Sequence, residues 1–253
     1  MVLEYAKDGN FNDWINENYE KFDWSNKILV LRYIISGLVE IHQKQMVHRD
    51  LHTGNILFGQ DGVYVSDIWG DDSKVDGNIY GIMPYVAPEV LRGKPYTQAA
   101  DIYSFGMIMY FAATGRQPFD RYAHDQDLVL SICKGASPKI YEQEAPKCYV
   151  DLMKKCWDLN PDNRPDAIEI KKTIELFYYS YIDFIKKEKD YEIEKQFKEI
   201  EKYKKELSST KLIVPPQAFY KTRLINTQHI PQLLDAPLNN SDELVFDFSS
   251  LEK

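Results

Sequence analysis

The segment from Asp101 to Thr114 most constrains the fold of this 253-residue chain, because it is apolar on nearly every face of a helix. The apolar positions are Ile102, Phe105, Met107, Ile108, Met109 and Phe111. A helix of this composition is stable only when protein surrounds it on all sides. The sequence therefore predicts a central helix inside a lobe built mainly from other helices.

The composition is that of a globular protein and argues against several classes of partner. With 31 Lys and Arg against 39 Asp and Glu, the net charge is −8. Phosphate contacts need a clustered excess of basic side chains, so we expect no nucleic-acid partner. The longest apolar run, Met107 to Ala113, is far below the roughly 18 residues of a membrane span. The three cysteines lack metal-ligand spacing and suit reduced thiols, which predicts a cytoplasmic protein without a membrane partner.

The residue composition changes along the chain. Residues 1–181 are interrupted regularly by Gly, Pro, Asn and Asp, as a compact domain requires. Residues 182–208 alternate Lys and Glu without Gly or Pro, which predicts one long exposed helix. Residues 209–253 are polar, acidic and interrupted by proline, so we expect them to be disordered unless a partner orders them.

Local patterns within the first part predict several elements. Apolar residues recur at helical spacing over residues 28–41, after Ser25 as candidate N-cap, and predict a buried helix. Residues 46–48, 56–58 and 63–65 are short apolar runs that predict strands. Turn residues between the last two runs predict a hairpin.

The stretch from His48 to Asp67 is the richest in residues that could carry chemistry. It reads His48-Arg49-Asp50-Leu51-His52-Thr53-Gly54-Asn55, and Asp67 follows the predicted hairpin. This order resembles the catalytic loop and metal-binding segment of protein kinases, HRDxxxxN followed by DFG. The resemblance implies that Asp50 accepts the proton of the substrate hydroxyl, while Asn55 and Asp67 hold the Mg²⁺ that accompanies ATP.

Further segments match protein kinases in the same order. Ala87-Pro88-Glu89 resembles the APE motif, Asp101 opens a DxxxxG segment, and Arg164 closes a CWxxxPxxRP segment that begins at Cys156. The resemblance implies that Arg164 pairs with Glu89 inside the lobe. It also implies that Asp101 ties down the backbone around His48 and Arg49, although a plain acid in a first helical turn remains the alternative.

The start of the chain resembles the hinge of a protein kinase. The backbone at Glu4 and Ala6 would bond to adenine, and Leu57 would form the floor of its site. Kinases place a glycine-rich loop and a phosphate-binding lysine before the hinge, so we expect the N-terminal lobe to be missing. The fold class that follows is mainly α: a protein-kinase-like C-terminal lobe with short β-hairpins at the active-site edge, plus a C-terminal helical extension. We expect residues 1–253 alone to bind ATP weakly and to be inactive.

Three other residues of the resemblance suggest structural or regulatory roles. His48 is expected to pack under the catalytic loop. Arg49 is either a surface cation or the receptor of a phosphorylated activation segment. Ser73, or otherwise Tyr80, is the candidate phosphorylation site, although nearby acidic residues oppose an added phosphate.

Some positions depart from the family pattern. His52 replaces the lysine of serine/threonine kinases, Trp69 replaces the glycine of DFG, and Ile82 replaces a hydroxyl residue. The His52-Thr53-Gly54 run also lacks the arginine of tyrosine kinases, which favours Ser/Thr acceptors within the tyrosine-kinase-like group. Two functions remain open: a protein kinase in its full-length form, or a pseudokinase lobe that binds a protein partner or acts as a scaffold.

Two features outside these motifs bear on partners. An apolar seam on the Lys/Glu helix contains Ile193, Phe197, Ile200 and Leu207. It either covers the kinase lobe, or binds a partner helix or a second copy of the chain. His124 lies among polar residues and is expected to be solvated.

Overall fold

The computed structural model describes residues 8–18, 21–68, 79–181, 190–204, 220–225, 227 and 230–235. Its helices are α1 (Phe11–Asn18), α2 (Trp24–Gln43), α3 (Pro88–Leu91), α4 (Gln98–Thr114), α5 (Gln126–Cys133), α6 (Lys147–Cys156), α7 (Ala167–Tyr181), α8 (Tyr191–Lys204) and α9 (Ile230–Asp235). Its strands, β1 (Ile56–Gly59), β2 (Gly62–Val65), β3 (Ile79–Gly81) and β4 (Arg223–Ile225), form two antiparallel pairs. This architecture confirms a mainly α lobe with short strands. Within the described ranges, no helix combines the length and the apolar character needed to cross a membrane.

Helix α4 lies at the centre of the lobe, as its sequence predicts. Every residue from Ala100 to Thr114 is buried. The side chain of Thr97 caps the helix by accepting a hydrogen bond from the N–H of Ala100, and Gly115 ends it in a left-handed conformation with φ of 70°. Helices α2 and α6 both pack against α4, so its apolar faces are covered from more than one side.

Helix α2 supplies much of the remaining core and begins earlier than expected. Its N-cap is Asp23, whose extended backbone lets the carboxylate accept from the N–H of Asn26 at 2.9 Å. Ser25 lies inside the first turn, so its prediction as N-cap is wrong. The apolar side of α2 packs against α7 and against β2.

The hairpin of β1 and β2 confirms the strands predicted over residues 56–58 and 63–65. Its register pairs Ile56 with Val65 and Gly59 with Gly62. Residues 46–48, by contrast, form no strand. The carboxylate of Asp101, rather than a neighbouring strand, accepts from the N–H of His48.

The charged segment does not form one long exposed helix. The side chain of Asp190 accepts from the N–H groups of Glu192 and Ile193, which gives α8 its own N-terminus. Helix α8 then folds back on α7 and α6. The capping carboxylate therefore sets the start of α8, and tertiary packing buries one of its faces.

The apolar seam of α8 covers this lobe and does not face a partner. Phe197 is fully buried, and its ring centroid lies 5.3 Å from that of Trp24 and 5.6 Å from that of Phe177. Ile193 and Ile200 are buried as well. A partner helix at these three positions is therefore excluded by packing within the chain, while Leu207 lies outside the described residues.

Part of the segment expected to be disordered is folded onto the lobe. Strand β4 pairs with β3 in a register that places Ile225 opposite Ile79 and Arg223 opposite Gly81. Ile225 and, at the start of α9, Ile230 are buried. The expectation of disorder therefore does not hold for residues 220–225 and 230–235, because Ile225 and Ile230 are buried against the lobe.

Candidate active site

The loop that carries Asp50 is held from below by the carboxylate of Asp101, at the first turn of α4. This carboxylate accepts from the backbone N–H of His48 at 2.8 Å and of Arg49 at 3.0 Å. His42 Nε2 donates to it at 2.9 Å, and Asp101 is 1% exposed. Arg49 has a left-handed backbone with φ of 72°, which a non-glycine residue adopts only when its surroundings hold it there. Asp101 supplies that restraint.

His48 connects the same loop to the end of β2. Its ring is fully buried, Nε2 donates to the carbonyl of Ser66 at 2.9 Å, and Nδ1 accepts from the N–H of Asp50 at 3.3 Å. Burial lowers the pKa of His48 and outweighs the nearby charges of Asp101 and Asp50. The neutral ring therefore fixes where Asp50 stands relative to Asp67, the residue after Ser66.

Asp50, Asn55 and Asp67 lie together, along the wall of one cavity of about 460 Å³ that Ile68 and Thr222 also line. The amide nitrogen of Asn55 donates to the backbone carbonyl of Asp50 at 2.8 Å, and the carbonyl of Asn55 accepts from the N–H of Ser66 at 2.9 Å. Amide and carboxylate oxygens are hard ligands, and Mg²⁺ is commonly held by one or two carboxylates together with phosphate oxygens. The residues present thus fit a magnesium nucleotide.

The carboxylate of Asp50 has two neighbours that favour its charged form. Its Oδ2 accepts from the hydroxyl of Thr222 at 2.9 Å, and its Oδ1 lies 3.5 Å from Nε2 of His52. Burial alone raises the pKa of Asp50, but the interactions with His52 and Thr222 outweigh it, and the pKa lies below its usual value. Asp50 is therefore an ionised acceptor that faces a hydroxyl group.

The ring of His52 is fixed by the turn that follows it. Nδ1 accepts from the N–H of Gly54 at 2.9 Å, so the proton of the neutral ring is on Nε2, which lies 3.1 Å from the hydroxyl oxygen of Thr222. A Cβ added at Gly54 would lie 2.7 Å from Cε1 of His52. Glycine at this position thus makes room for the imidazole beside Asp50.

A second glycine lies where β3 passes Asp50. Gly81 has φ of +155°, and a Cβ there would lie 2.9 Å from Cγ2 of Val86 and 3.7 Å from Oδ1 of Asp50. A side chain at Gly81 would therefore clash with Val86, whereas its distance from the carboxylate is an ordinary van der Waals contact. Ile82, which follows it, is buried.

Glu89 and Arg164 form a buried bidentate ion pair away from the cavity. The two guanidinium nitrogens donate to the two carboxylate oxygens at 2.7 and 2.8 Å. Arg164 also donates to the carbonyls of Asp158 and Ala99, each at 2.8 Å. Both carboxylate oxygens of Glu89 accept from the guanidinium of Arg164, so the pair joins the segment after β3 to the region before α7.

Of the residues expected to contact adenine or to regulate the domain, only some lie in the part of the chain that the structure describes. Leu57 is half-buried, and it alternates along β1 with the buried side chains of Ile56 and Phe58. Glu4, Ala6, Ser73 and Trp69 lie outside the described residues.

Sequence reasoning missed the residues that the C-terminal segment brings to this site. Thr222 contacts Asp50 across 172 positions of the chain. His124 is buried rather than solvated, because the ring of Tyr220 packs on it in a T-shaped contact with centroids 4.7 Å apart. The only local signal was the short Thr222-to-Ile225 run of residues that favour a strand.

Comparison with known proteins assigns the lobe to a family. Residues 1–174 match the family model described as protein tyrosine and serine/threonine kinase. The chain belongs to this protein kinase family. The matched part of the kinase domain contains the whole catalytic loop, Glu89 and Arg164, whereas α8, β4 and Thr222 lie beyond it.

Two serine/threonine kinases are similar in sequence to this chain. Serine/threonine-protein kinase STY17 of Arabidopsis thaliana is 29% identical over 175 residues, which cover 67% of this chain and 30% of the relative. Receptor-interacting serine/threonine-protein kinase 1 of Homo sapiens is 28% identical over 207 residues, which cover 72% of this chain and 31% of the relative. The chain thus spans less than a third of the length of either protein.

Proposed function

We propose that this chain supplies the catalytic lobe of a serine/threonine protein kinase of the tyrosine-kinase-like group. One observation carries the proposal. Asp50, Asn55 and Asp67 line one cavity, and the carboxylate of Asp50 accepts a hydrogen bond from an aliphatic hydroxyl at 2.9 Å. Phosphoryl transfer to a protein needs this combination of a proton acceptor at the hydroxyl and oxygen ligands for the metal nucleotide.

Each residue of the cavity has a distinct role in this proposal. Asp50 accepts the proton of the substrate hydroxyl, and its lowered pKa keeps it ionised for that purpose. Asn55 and Asp67 hold Mg²⁺ with their side-chain oxygens, while the backbone at Glu4 and Ala6 contacts adenine. When bound, ATP with Mg²⁺ supplies the phosphoryl group and neutralises part of its charge.

The floor of the adenine site and the restraints below the loop complete the proposal. Leu57 lies on the half-exposed face of β1 and offers an apolar surface to the base. His48, Arg49 and Asp101 act by positioning Asp50, since Asp101 and His48 bond to the backbone of the loop.

Several observations favour Ser or Thr over Tyr as the acceptor. The hydroxyl that Asp50 already bonds belongs to a threonine directly before β4, so a short side chain separates its backbone from the carboxylate. A tyrosine hydroxyl, at the end of a longer side chain, would require that backbone to stand further away. The names of both relatives, serine/threonine kinases, support the same class.

A kinase assay on the protein expressed from its full transcript tests the proposal. We expect it to transfer phosphate from ATP to Ser and Thr of protein substrates, and Asp50→Asn to lower the rate by a factor of about 10² to 10⁴. Asp61→Asn, at the exposed turn between β1 and β2, is the matched control and should leave the rate unchanged. Phosphoamino-acid analysis of the products identifies the acceptor.

The outcomes separate the two functions. Transfer that Asp50→Asn leaves intact would contradict the role given to Asp50, and mainly phosphotyrosine would contradict the acceptor class. Absence of transfer from the folded full-length protein would leave the pseudokinase function, in which the lobe binds a partner.

A further inference from the structure

Residues 220–225 form a segment that bends at Lys221 and passes the cavity at Asp50, where Thr222 lines it. Its second half is β4, which pairs antiparallel with β3 and places Leu224 opposite Tyr80 and Arg223 opposite Gly81. Gly81 also lies beside Asp50, because a Cβ at this position would be 3.7 Å from its Oδ1. Backbone pairing therefore sets both the direction of the segment and its distance from the carboxylate.

Thr222 stands at the end of this pairing with its hydroxyl at Asp50. The ring of His52 has its proton on Nε2, because Nδ1 accepts from the N–H of Gly54. His52 then donates to the hydroxyl oxygen of Thr222, and the hydroxyl proton is left for Oδ2 of Asp50. The hydroxyl thus has the orientation of a group about to give its proton to Asp50, and Thr222 lines the cavity of Asn55 and Asp67.

Side chains on both sides of Thr222 anchor the segment. Two positions before it, the Tyr220 hydroxyl donates to the carbonyl of Pro118 at 3.1 Å, and its ring packs on His124. Three positions after it, Ile225 is 5% exposed, beside a cavity that Met83 and Val129 line. The next residue after Thr222, Arg223, donates to the carbonyl of His124 at 2.6 Å.

The remaining side chains of the segment have no such cover. Lys221 is exposed, and Leu224 is 51% exposed. The lobe contacts the side chains of Tyr220, Arg223 and Ile225, and the surface that does so is the groove for this segment. Tyr220 and Ile225 are therefore the positions at which this groove can select a sequence.

We propose that residues 220–225 occupy the acceptor-peptide site of this kinase domain in cis, with Thr222 in the place of the phosphoacceptor. The site accepts an extended Ser or Thr segment that carries an aromatic residue two positions before the hydroxyl and an aliphatic residue three positions after it. The proposal rests on the proposed function for the role of Asp50. It goes beyond that function by naming the peptide that the site selects and the segment that fills it.

The intramolecular occupant has a consequence for other substrates. A segment tethered to its own lobe competes at an effective concentration of the order of millimolar, so a second peptide binds only after the tether is displaced. A phosphate on Thr222 would stand beside the carboxylates of Asp50 and Asp67, and like-charge repulsion would expel the segment. In this proposal, the tethered segment can therefore leave the site and a substrate peptide can take its place.

Binding of a labelled peptide to the full chain tests the proposal without relying on transfer. The probe is fluorescein-labelled peptide of residues 218–227, titrated by fluorescence anisotropy. The release variant is Tyr220→Ala with Ile225→Asp, which removes two of the three anchors, and the matched control is Lys221→Ala. We expect the release variant to bind the probe at least ten times more tightly than the wild-type chain and the control do.

Variants of the probe test the selectivity of the groove. In the release variant of the chain, a probe with the same Tyr-to-Ala and Ile-to-Asp changes should bind at least ten times more weakly than the unchanged probe. A probe that carries phosphothreonine at the position of Thr222 should also bind at least ten times more weakly. Equal affinity of the unchanged probe for the wild-type chain and the release variant would overturn the proposal, and so would equal binding of the changed probes.

Hydrogen–deuterium exchange provides the control for folding and a second readout. We expect residues 79–83 to exchange faster in the release variant, while α4 keeps the protection that it has in the wild-type chain. Unchanged exchange at residues 79–83 would contradict the pairing with β4.

The two proposals can fail separately. Peptide binding without transfer by the full-length protein would support this inference and remove the catalytic role of Asp50. Transfer that depends on Asp50, without selective peptide binding, would overturn this inference alone.

Discussion

The restraints below the catalytic loop and the contacts above it are built differently. Below the loop, Asp101 is almost completely buried, as is the Glu89–Arg164 pair elsewhere in the lobe, and the partners of both belong to the lobe. Above it, Asp50 bonds to Thr222, an exposed residue from a distant part of the chain. The difference teaches that buried groups of the lobe set the geometry of the loop, whereas the group that faces Asp50 comes from an exposed and distant part of the chain.

The largest expected effect comes from breaking the buried ion pair. Arg164→Leu leaves the carboxylate of Glu89 buried without its cation, which should lower the free energy of unfolding by about 3 to 5 kcal/mol. Chemical denaturation measures the change. Lys147→Ala breaks the exposed pair of Lys147 with Asp151 on α6 and, as the control, should cost less than about 1 kcal/mol. Equal effects of the two changes would contradict the contrast between buried and exposed polar groups.

Asp101→Asn should have the next largest effect. The amide keeps the shape of the side chain but loses the charge and one acceptor, so the N–H groups of His48 and Arg49 cannot both be satisfied as before. We expect a loss of about 3 kcal/mol in the free energy of unfolding. Asp127→Asn, at the first turn of α5, is the control and should cost less than about 1 kcal/mol. An Asp101→Asn variant as stable as the wild-type chain would show that the loop holds its left-handed turn without this restraint.

Ile200→Glu tests whether α8 belongs to the lobe. A charge at this buried position should weaken the packing of α8 on α7 and lower the free energy of unfolding by about 2 kcal/mol. Light scattering should give the same mass for the variant and the wild-type chain, because the seam is used within one chain. A lower mass for the variant would instead indicate that the apolar seam of α8 joins two chains.

The smallest expected effect is a pH dependence that originates at His48. Its pKa in the folded chain lies below the usual value of 6.5, so the unfolded chain takes up the proton first as the pH falls. The stabilisation is therefore present above pH 6.5 and is lost as the pH falls through the lower folded pKa. Urea denaturation on both sides of pH 6.5 should show that the free energy of unfolding falls more steeply with falling pH in the wild-type chain than in His48→Gln. If the free energy of unfolding changes with pH equally in both proteins, groups other than His48 cause the pH dependence.

The lobe and its catalytic loop could be predicted from sequence because their signals are local. The apolar faces of α4 require burial wherever the helix lies, and Asp50, Asn55 and Asp67 are separated by only a hairpin. The capping carboxylates of Asp23 and Asp190 were missed, although each precedes a helix by one residue.

The position of Thr222 could not be predicted in the same way. Its bond to Asp50 joins residues 172 positions apart, and neither residue type nor local periodicity indicates a contact over that distance. The burial of His124 follows from the same docking, since Tyr220 covers it. Tertiary pairing of β4 with β3, rather than local propensity, decides where this segment lies.

A carbon-13 NMR titration of the Asp50 carboxyl tests the central claim most directly. The claim is that the carboxylate of Asp50 faces an acceptor hydroxyl, which is now that of Thr222. The hydrogen bond stabilises the charged form, so the pKa of Asp50 should lie below the usual 3.8 in the wild-type chain and rise in Thr222→Val. Thr227→Val, in the same segment, is the matched control and should leave that pKa unchanged. An Asp50 pKa that is the same in the wild-type chain and in Thr222→Val would contradict the claim.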